Sequence, residues 1–381
     1  MEIDFFNARS IIVFICILQG VIFAGLLIFR SFKRKAKADL WLAMLLLVIC
    51  SGLITPFIGF ANVYDLNQWL TFFPFGIIYA TGVCIWFYVL TLTDDDRKFN
   101  RKHLLLFLPS AIYLTVRLIL FAQDLEFKDW FTDKYYQPYI GPFIFVTEFL
   151  WNGFFLFLAI RHYKKYRAWL DENFSATDRL TFDWLRNFLY LFTAVFVIGA
   201  IFDFTANFLF RLSYIQYFYF ELILAMLVYY LAIAGYLRSV PLKLDFTGDS
   251  SDKDLKPEDP PGPLLSAVEL KDNKNRLQDL MKTEKPYLDP QLTLKTLARQ
   301  IGLNTSVLSY TINTGFDKNF NDFINEYRVN EVKTRLIDEV GENLNILAIA
   351  FDSGFNSKAT FNRAFKKFTS RSPKEFLSDN S

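Results

Sequence analysis

The sequence predicts an all-α protein: a seven-transmembrane helix bundle followed by a smaller unit made of two helix-turn-helix copies. Three observations predict it. Seven long apolar stretches lie within residues 1–240, in a chain that is 53% hydrophobic and holds 44 Phe among 381 residues. The composition breaks abruptly after Val240. A short pattern near residue 300 returns near residue 350. The chain therefore divides into a membrane region (1–240), a linker (241–263) and a C-terminal domain (264–381).

Each apolar stretch is about long enough to cross a hydrocarbon core of roughly 30 Å as a helix. They fall near 10–29, 40–60, 69–92, 103–122, 139–160, 187–210 and 215–237. The first is unlike a signal peptide, because its cations (Arg30, Lys33, Arg34, Lys35, Lys37) follow the apolar run. One alternating set of loops holds these five together with Arg97, Lys98, Arg101, Lys102, Arg161, Lys164, Lys165, Arg167, Arg179 and Arg186. The other set holds four cations: Arg9, Lys128, Lys134 and Arg211. The positive-inside bias then puts the N-terminus outside and everything after Leu237 in the cytoplasm. The expected location is a bacterial inner membrane, with the lipid bilayer as a partner.

Polar groups within the spans cost energy unless they are paired or face water. Arg117, Glu148, Asp203 and Glu221 are the ionisable ones, with Gln19 and Asn207 beside them in kind. Arg117 is expected to pair with Asp203 or Glu221. The set then serves either as an intramembrane ion pair or as a site sensing an unknown small-molecule or membrane signal. The outer loop Gln123–Tyr136, mildly acidic and aromatic, reads as a lid or a plain connection. Cys16, Cys50 and Cys84 are far apart in apolar runs, and His103 and His162 sit at span edges beside cations. No disulfide framework, metal site or cofactor is expected from them.

The stretch LDFTGDSSDKDLKPEDPPGP is acidic and rich in Pro, Ser and Gly, which disfavours a packed core. A chain of that kind has a reach on the order of 25–30 Å. Helical periodicity returns from Leu264 to Met281, with Leu264, Val268, Leu277, Leu280 and Met281 as anchors.

The segment LARQIGLNTSVLSYTIN (Leu297–Asn313) echoes IAFDSGFNSKATFNRAFK (Ile349–Lys366). Leu297-Ala298 matches Ile349-Ala350, and Gly302-Leu303 matches Gly354-Phe355, both offset by 52. With one extra residue in the second copy, Leu308 and Ile312 match Phe361 and Phe365. Such a repeat signals two copies of one supersecondary unit. Gly354 permits the left-handed turn, and Ser357 suits the N-cap of the helix that follows. Phe361, Phe365 and Phe368 line one face of that helix, while Lys358, Arg363, Lys366, Lys367, Arg371 and Lys374 fill the rest. An apolar inner face with a cationic outer face after a glycine turn suits a helix laid into a DNA groove. Between the copies, Phe320–Glu339 reads as one helix of about 20 residues, hence roughly 30 Å. That is about one turn of DNA, the spacing two recognition helices need on one face of a duplex.

Residues from about 265 to 378 resemble the AraC/XylS transcription regulators. The resemblance is carried by LTLKTLARQIGLNTSVLSYTIN, the joining NFNDFINEYRVNEVKTRLI, and IAFDSGFNSKATFNRAFKKFTSRSPKEF, and it covers about 30% of the chain. The multi-span arrangement is similar to that of membrane-anchored regulators of this family. The resemblance implies that exposed positions early in each recognition helix touch double-stranded DNA. These are Ser306, Ser309 and Tyr310 in the first unit and Lys358, Ala359, Thr360 and Arg363 in the second. Arg363 and Lys358 are expected to bond guanine or phosphate, and Ala359 and the Thr360 methyl to touch thymine. Lys366 and Lys367 are assigned to phosphate. The first unit has no cation on its reading face. Ser370 stands where the family usually has Gly before Ser372-Pro373, so a positive φ there would be strained.

The implied function is a membrane-bound, one-component transcription regulator. Its bundle senses a signal, and its tethered domain binds promoter DNA sequence-specifically, with homodimerisation as a route for the signal. No Gly-rich phosphate loop, HExxH stretch or His/Cys cluster suggests an enzyme. The alternative is a transporter or channel whose C-terminal domain is regulatory or binds protein. Only isolated Pro56, Pro74, Pro109 and Pro142 speak for broken helices of that kind.

Overall fold

A computed structural model describes residues 7–94, 99–176, 183–210, 212–237, 265–338 and 345–380. The expected linker, 241–263, lies outside the described residues, as do Arg97, Lys98, Arg179 and Arg211. Among the described residues the architecture is helical, and the β-type pairing is a single bridge between Phe174 and Thr293. They divide into two compact units: 7–164 with 183–237, and 165–176 with 265–380.

The first unit opens with α1 (Ala8–Arg34), capped by the Asn7 side chain, which accepts from the amides of Arg9 and Ser10. A left-handed Lys35 ends it, and α2 (Lys37–Phe60) folds back against it. A Cβ on Gly20 of α1 would overlap the Cys50 sulfur of α2, so the absent side chain is what lets these helices approach. The ends of α1 and α2 nearest Lys35 are tied to the last helix of the unit. Arg30 Nε lies 2.6 Å from Asp39 Oδ2, and Arg30 Nη2 donates to the Gly235 carbonyl at 3.1 Å.

A short α3 (Val63–Leu66) precedes the first departure from expectation. The third apolar stretch, expected to be helical over 69–92, becomes α4 only at Thr81–Thr93. Phe72 has φ 69°, and Pro74 has no amide to donate, so the chain runs irregularly up to Ile78. Among the described residues there are thus six helices long and apolar enough to cross a membrane, plus this shorter apolar helix, Ile78–Thr93. Eleven of the thirteen α4 residues are buried, so irregular backbone at its start is shielded by protein. Asn152 completes that shield: its Oδ1 accepts from Gly82 N at 2.9 Å, and its Nδ2 donates to Ile78 O at 2.9 Å.

The other long apolar helices are α5 (Leu108–Phe121), extended at its start by the 3-10 stretch Arg101–Phe107, then α7 (Gly141–Asn173), α8 (Asp183–Phe204) and α9 (Tyr214–Leu237). Between α5 and α7 the expected loop is largely helical. Asp124 caps α6 (Leu125–Phe131), accepting from Phe127 N at 2.8 Å, and a π-helical stretch, Thr132–Ile140, leads into α7.

In the second unit, α10 (Ala267–Thr283) starts with a capping box of Ser266 and Glu269. α11 (Leu294–Ile301), α12 (Thr305–Phe316) and α13 (Phe320–Asp338) follow. Then come α14 (Ile346–Asp352), α15 (Lys358–Thr369) and α16 (Pro373–Asn380). Two cores form along α13. Leu277, Leu297, Ala298, Leu308, Ile312, Phe320 and Phe323 build one. Val329, Val332, Leu336, Ile349, Ala350, Phe361 and Phe365 build the other. Of the repeat positions aligned in the sequence, Leu297, Ala298, Leu308 and Ile312 are buried in the first core as Ile349, Ala350, Phe361 and Phe365 are in the second.

Candidate nucleic-acid interface and candidate signal site

The two turns that display the recognition helices are built from local rules. Gly302 ends α11 with φ 71°, and Asn304 caps α12 by accepting from Val307 N at 2.7 Å. Gly354 follows α14 with φ 92°, and Ser357 caps α15 by accepting from Thr360 N at 3.1 Å. The turns differ in their surroundings. A Cβ on Gly302 would meet nothing within 4 Å. One on Gly354 would overlap the Tyr287 carbonyl oxygen and lie 2.9 Å from Arg328 Nε.

Ser306 and Tyr310 are exposed on α12, and Ser309 is half-buried. On α15, Lys358, Ala359, Arg363 and Lys366 are exposed, so the expected reading residues of the second unit share a solvent face. Two assignments change. Thr360 is buried, 4% exposed, and its hydroxyl accepts from Ser357 Oγ at 3.2 Å. It closes the cap from the third helical position, and its methyl is therefore off the reading face. Lys367, assigned to phosphate, holds both carboxylate oxygens of Asp322 at 2.7 Å. It joins α15 to the start of α13. Asn362 is also exposed, beside Arg363.

Behind the reading face lies a polar centre that spacing did not reveal. Arg328 of α13 is 0% exposed. Its Nε donates to Tyr287 O at 2.7 Å, and Nη2 donates to Asp289 O at 2.7 Å and to Ser175 Oγ at 3.1 Å. Nη1 reaches Ser175 O at 3.3 Å. Burial pushes this guanidinium down to about 10, with Asp289 opposing, and it stays charged at neutral pH. On the same helix, Glu331 accepts from Lys285, Tyr287 and Arg335 at 3.0–3.1 Å. Burial alone would raise its carboxyl, but these hydrogen bonds win and hold it below the ordinary value of 4.5. Ser370 ends α15 with φ 60°, the left-handed turn at which glycine was expected.

In the first unit, Arg117 does not meet a carboxylate. It donates to Phe73 O at 3.3 Å and lies 5.0 Å from the Phe72 ring centre. It faces the irregular stretch before α4, whereas the acids project from α7, α8 and α9. Glu148 and Asp203 instead line a cavity of about 220 Å³ with Phe149, Phe196 and Phe220. Tyr217 donates to Asp203 Oδ1 at 3.4 Å, and Asn152 Nδ2 lies 3.5 Å from Glu148 Oε1. Glu221 is outside the lining. Among the described residues no group of three or more His, Cys, Asp or Glu is placed to hold a metal ion.

Residues 297–379 match a family described as a helix-turn-helix domain. Uncharacterized HTH-type transcriptional regulators of Staphylococcus aureus strains COL and MSSA476 are each 31% identical over 93 residues, 24% of this chain and 12% of theirs. The chain thus spans about an eighth of the length of the curated relatives it matches. A solved structure of a protein of unknown function from Listeria innocua is 28% identical, covers 28% of this chain and 96% of that one, and gives a TM-score of 0.25. By the family match, residues 297–379 of this chain are a helix-turn-helix domain, and the other unit of the chain contains apolar helices of membrane length.

Proposed function

We propose that the protein is a membrane-bound one-component transcription regulator. Its helix-turn-helix domain binds double-stranded promoter DNA sequence-specifically through α12 and α15, and its bundle senses the signal. The observation that carries this reading is the placement of Lys358, Arg363 and Lys366 on one exposed face of a helix displayed by a glycine turn. Arg363 has the fork geometry for guanine, and Lys358 and Lys366 supply charge for phosphate. Ser306 and Tyr310 bring a second, uncharged contact. The positive-inside bias supports an inner-membrane location with the N-terminus outside and the domain in the cytoplasm.

For the signal we assign Glu148 and Asp203, the carboxylates that line the aromatic cavity. A cavity with such walls suits a small, largely apolar molecule bearing a cationic group. Homodimerisation of bundles would raise the local concentration of paired domains on a promoter.

Genome-wide crosslinking of the full-length, membrane-inserted protein tests the DNA reading, with Arg363→Ala as control. Sharp peaks lost in the control are expected. Equal profiles for both proteins would move a transporter with a regulatory C-terminal domain to the front.

A further inference from the structure

The second unit contains a piece of chain that no helix-turn-helix repeat supplies. Residues 165–176 group with 265–380. They comprise the C-terminal end of α7 and the residues just after it, Phe174, Ser175 and Ala176. Ser175 is 0% exposed. Its hydroxyl donates to Leu292 O at 2.7 Å, and its amide points to the same oxygen at 3.3 Å. Phe174 forms the bridge with Thr293, the N-cap of α11. Asn321, in the first turn of α13, donates to the carbonyls of both Phe174 and Ser175 at 3.1 Å. Arg328 then takes the Ser175 carbonyl and hydroxyl as two of its four partners.

These contacts are specific rather than incidental. A buried guanidinium left short of acceptors is costly, so the centre of the unit is complete only with Ser175 in place. The segment touches the start of α11, the start of α13 and the arginine that packs under Gly354. It therefore reads both halves of the repeat at once. One turn earlier, Asp171 lies near enough to Arg363 and Lys367 for their charges to act on it. Those two cations belong to the helix that faces DNA.

We propose that Phe174–Ser175 is an intramolecular clasp, through which the end of α7 holds both helix-turn-helix halves and, while closed, keeps Asp171 against the DNA-reading helix so that DNA is disfavoured. A shift of α7 opens the clasp, withdraws the carboxylate and frees α15. The signal then travels along a helix and need not cross the linker. The inhibitory direction rests on the DNA-binding reading above, whereas the clasp itself does not.

The test uses the full-length protein in lipid nanodiscs and two readouts. The first is the rate at which a water-soluble maleimide labels Ser175→Cys, against Lys271→Cys on the exposed face of α10 and against the parent's native cysteines. Ser175→Cys is expected to label at least about tenfold more slowly than Lys271→Cys. Adding Asn321→Ala should speed it. Equal rates at the two positions would overturn the clasp. The second readout is anisotropy of a fluorescent mixed-sequence DNA duplex at low salt. Asp171→Asn and Asn321→Ala should each tighten binding, by about threefold for the lost carboxylate. Binding equal to the parent's in both variants removes the inhibitory role. If parent and variants alike bind no duplex, the DNA-binding reading fails and takes the inhibitory role with it, while the labelling rates still decide the clasp.

Discussion

The two helix-turn-helix halves have the same local grammar and different settings. Each has an apolar helix ending in a left-handed glycine, a polar N-cap and a displayed helix. In the first half the Gly302 turn stands open, and the displayed helix bears Ser306 and Tyr310 without a cation. In the second half the Gly354 turn is pressed onto Tyr287 and Arg328, and its helix bears Lys358, Arg363 and Lys366. The half with the charges is the half whose turn is locked to the centre of the domain. A repeat conserves the unit, but the joining helix assigns the work.

Breaking the turns should separate the halves most. Gly354→Ala combines a disfavoured φ with overlap against backbone and is expected to cost about 3 kcal/mol. Gly302→Ala meets only the φ term and should cost about 1 kcal/mol. Hydrogen exchange of the α14–α15 and α11–α12 amides in the full-length protein measures both, and equal costs would erase the distinction.

The charge asymmetry gives the next largest effect. Arg363→Ala should weaken binding to recovered promoter fragments by about 1–3 kcal/mol, with Ser306→Ala losing less than about 1 kcal/mol. Titration at several salt concentrations tells the two apart, because loss of a phosphate contact also flattens the salt dependence.

Smaller effects sharpen the picture at the joints. Ser370→Gly relieves a non-glycine residue at φ 60° and should stabilise the second half by about 1 kcal/mol in denaturant unfolding. Glu331 ties α13 to Lys285 and Tyr287, and its folded pKa lies below 4.5. Its contribution is therefore present in full above 4.5 and is lost as pH falls through the depressed value. Glu331→Gln should be less stable than the parent by about 1 kcal/mol at neutral pH, with the gap closing in acid. A gap that stays constant with pH would show that the charge is irrelevant.

What the sequence made legible was what short-range chemistry decides. Gly354, Ser357 and the Phe361–Phe365 stripe act within one or two turns, so their pattern carries their geometry. Thr360, expected on an exposed face, is buried, because the same short-range rule, capping, claims its hydroxyl first. Pro74 carried a readable warning that the third apolar stretch would begin late as a helix. Arg117 went astray for another reason: hydropathy gives the depth of a residue but not the neighbour it faces. The Arg328–Ser175 pairing joins residues 153 apart, and neither has a local signature.

Arg328 also bears on how such proteins can be recombined. Its hydrogen bonds make Ser175 part of the C-terminal domain even though the two lie on opposite sides of two apolar helices in the chain order. The domain is consequently not a portable cassette with one cut site. Grafting it onto another receptor would require carrying two separate stretches, and a swap made at the linker alone would leave a buried cation looking for the oxygen it lost.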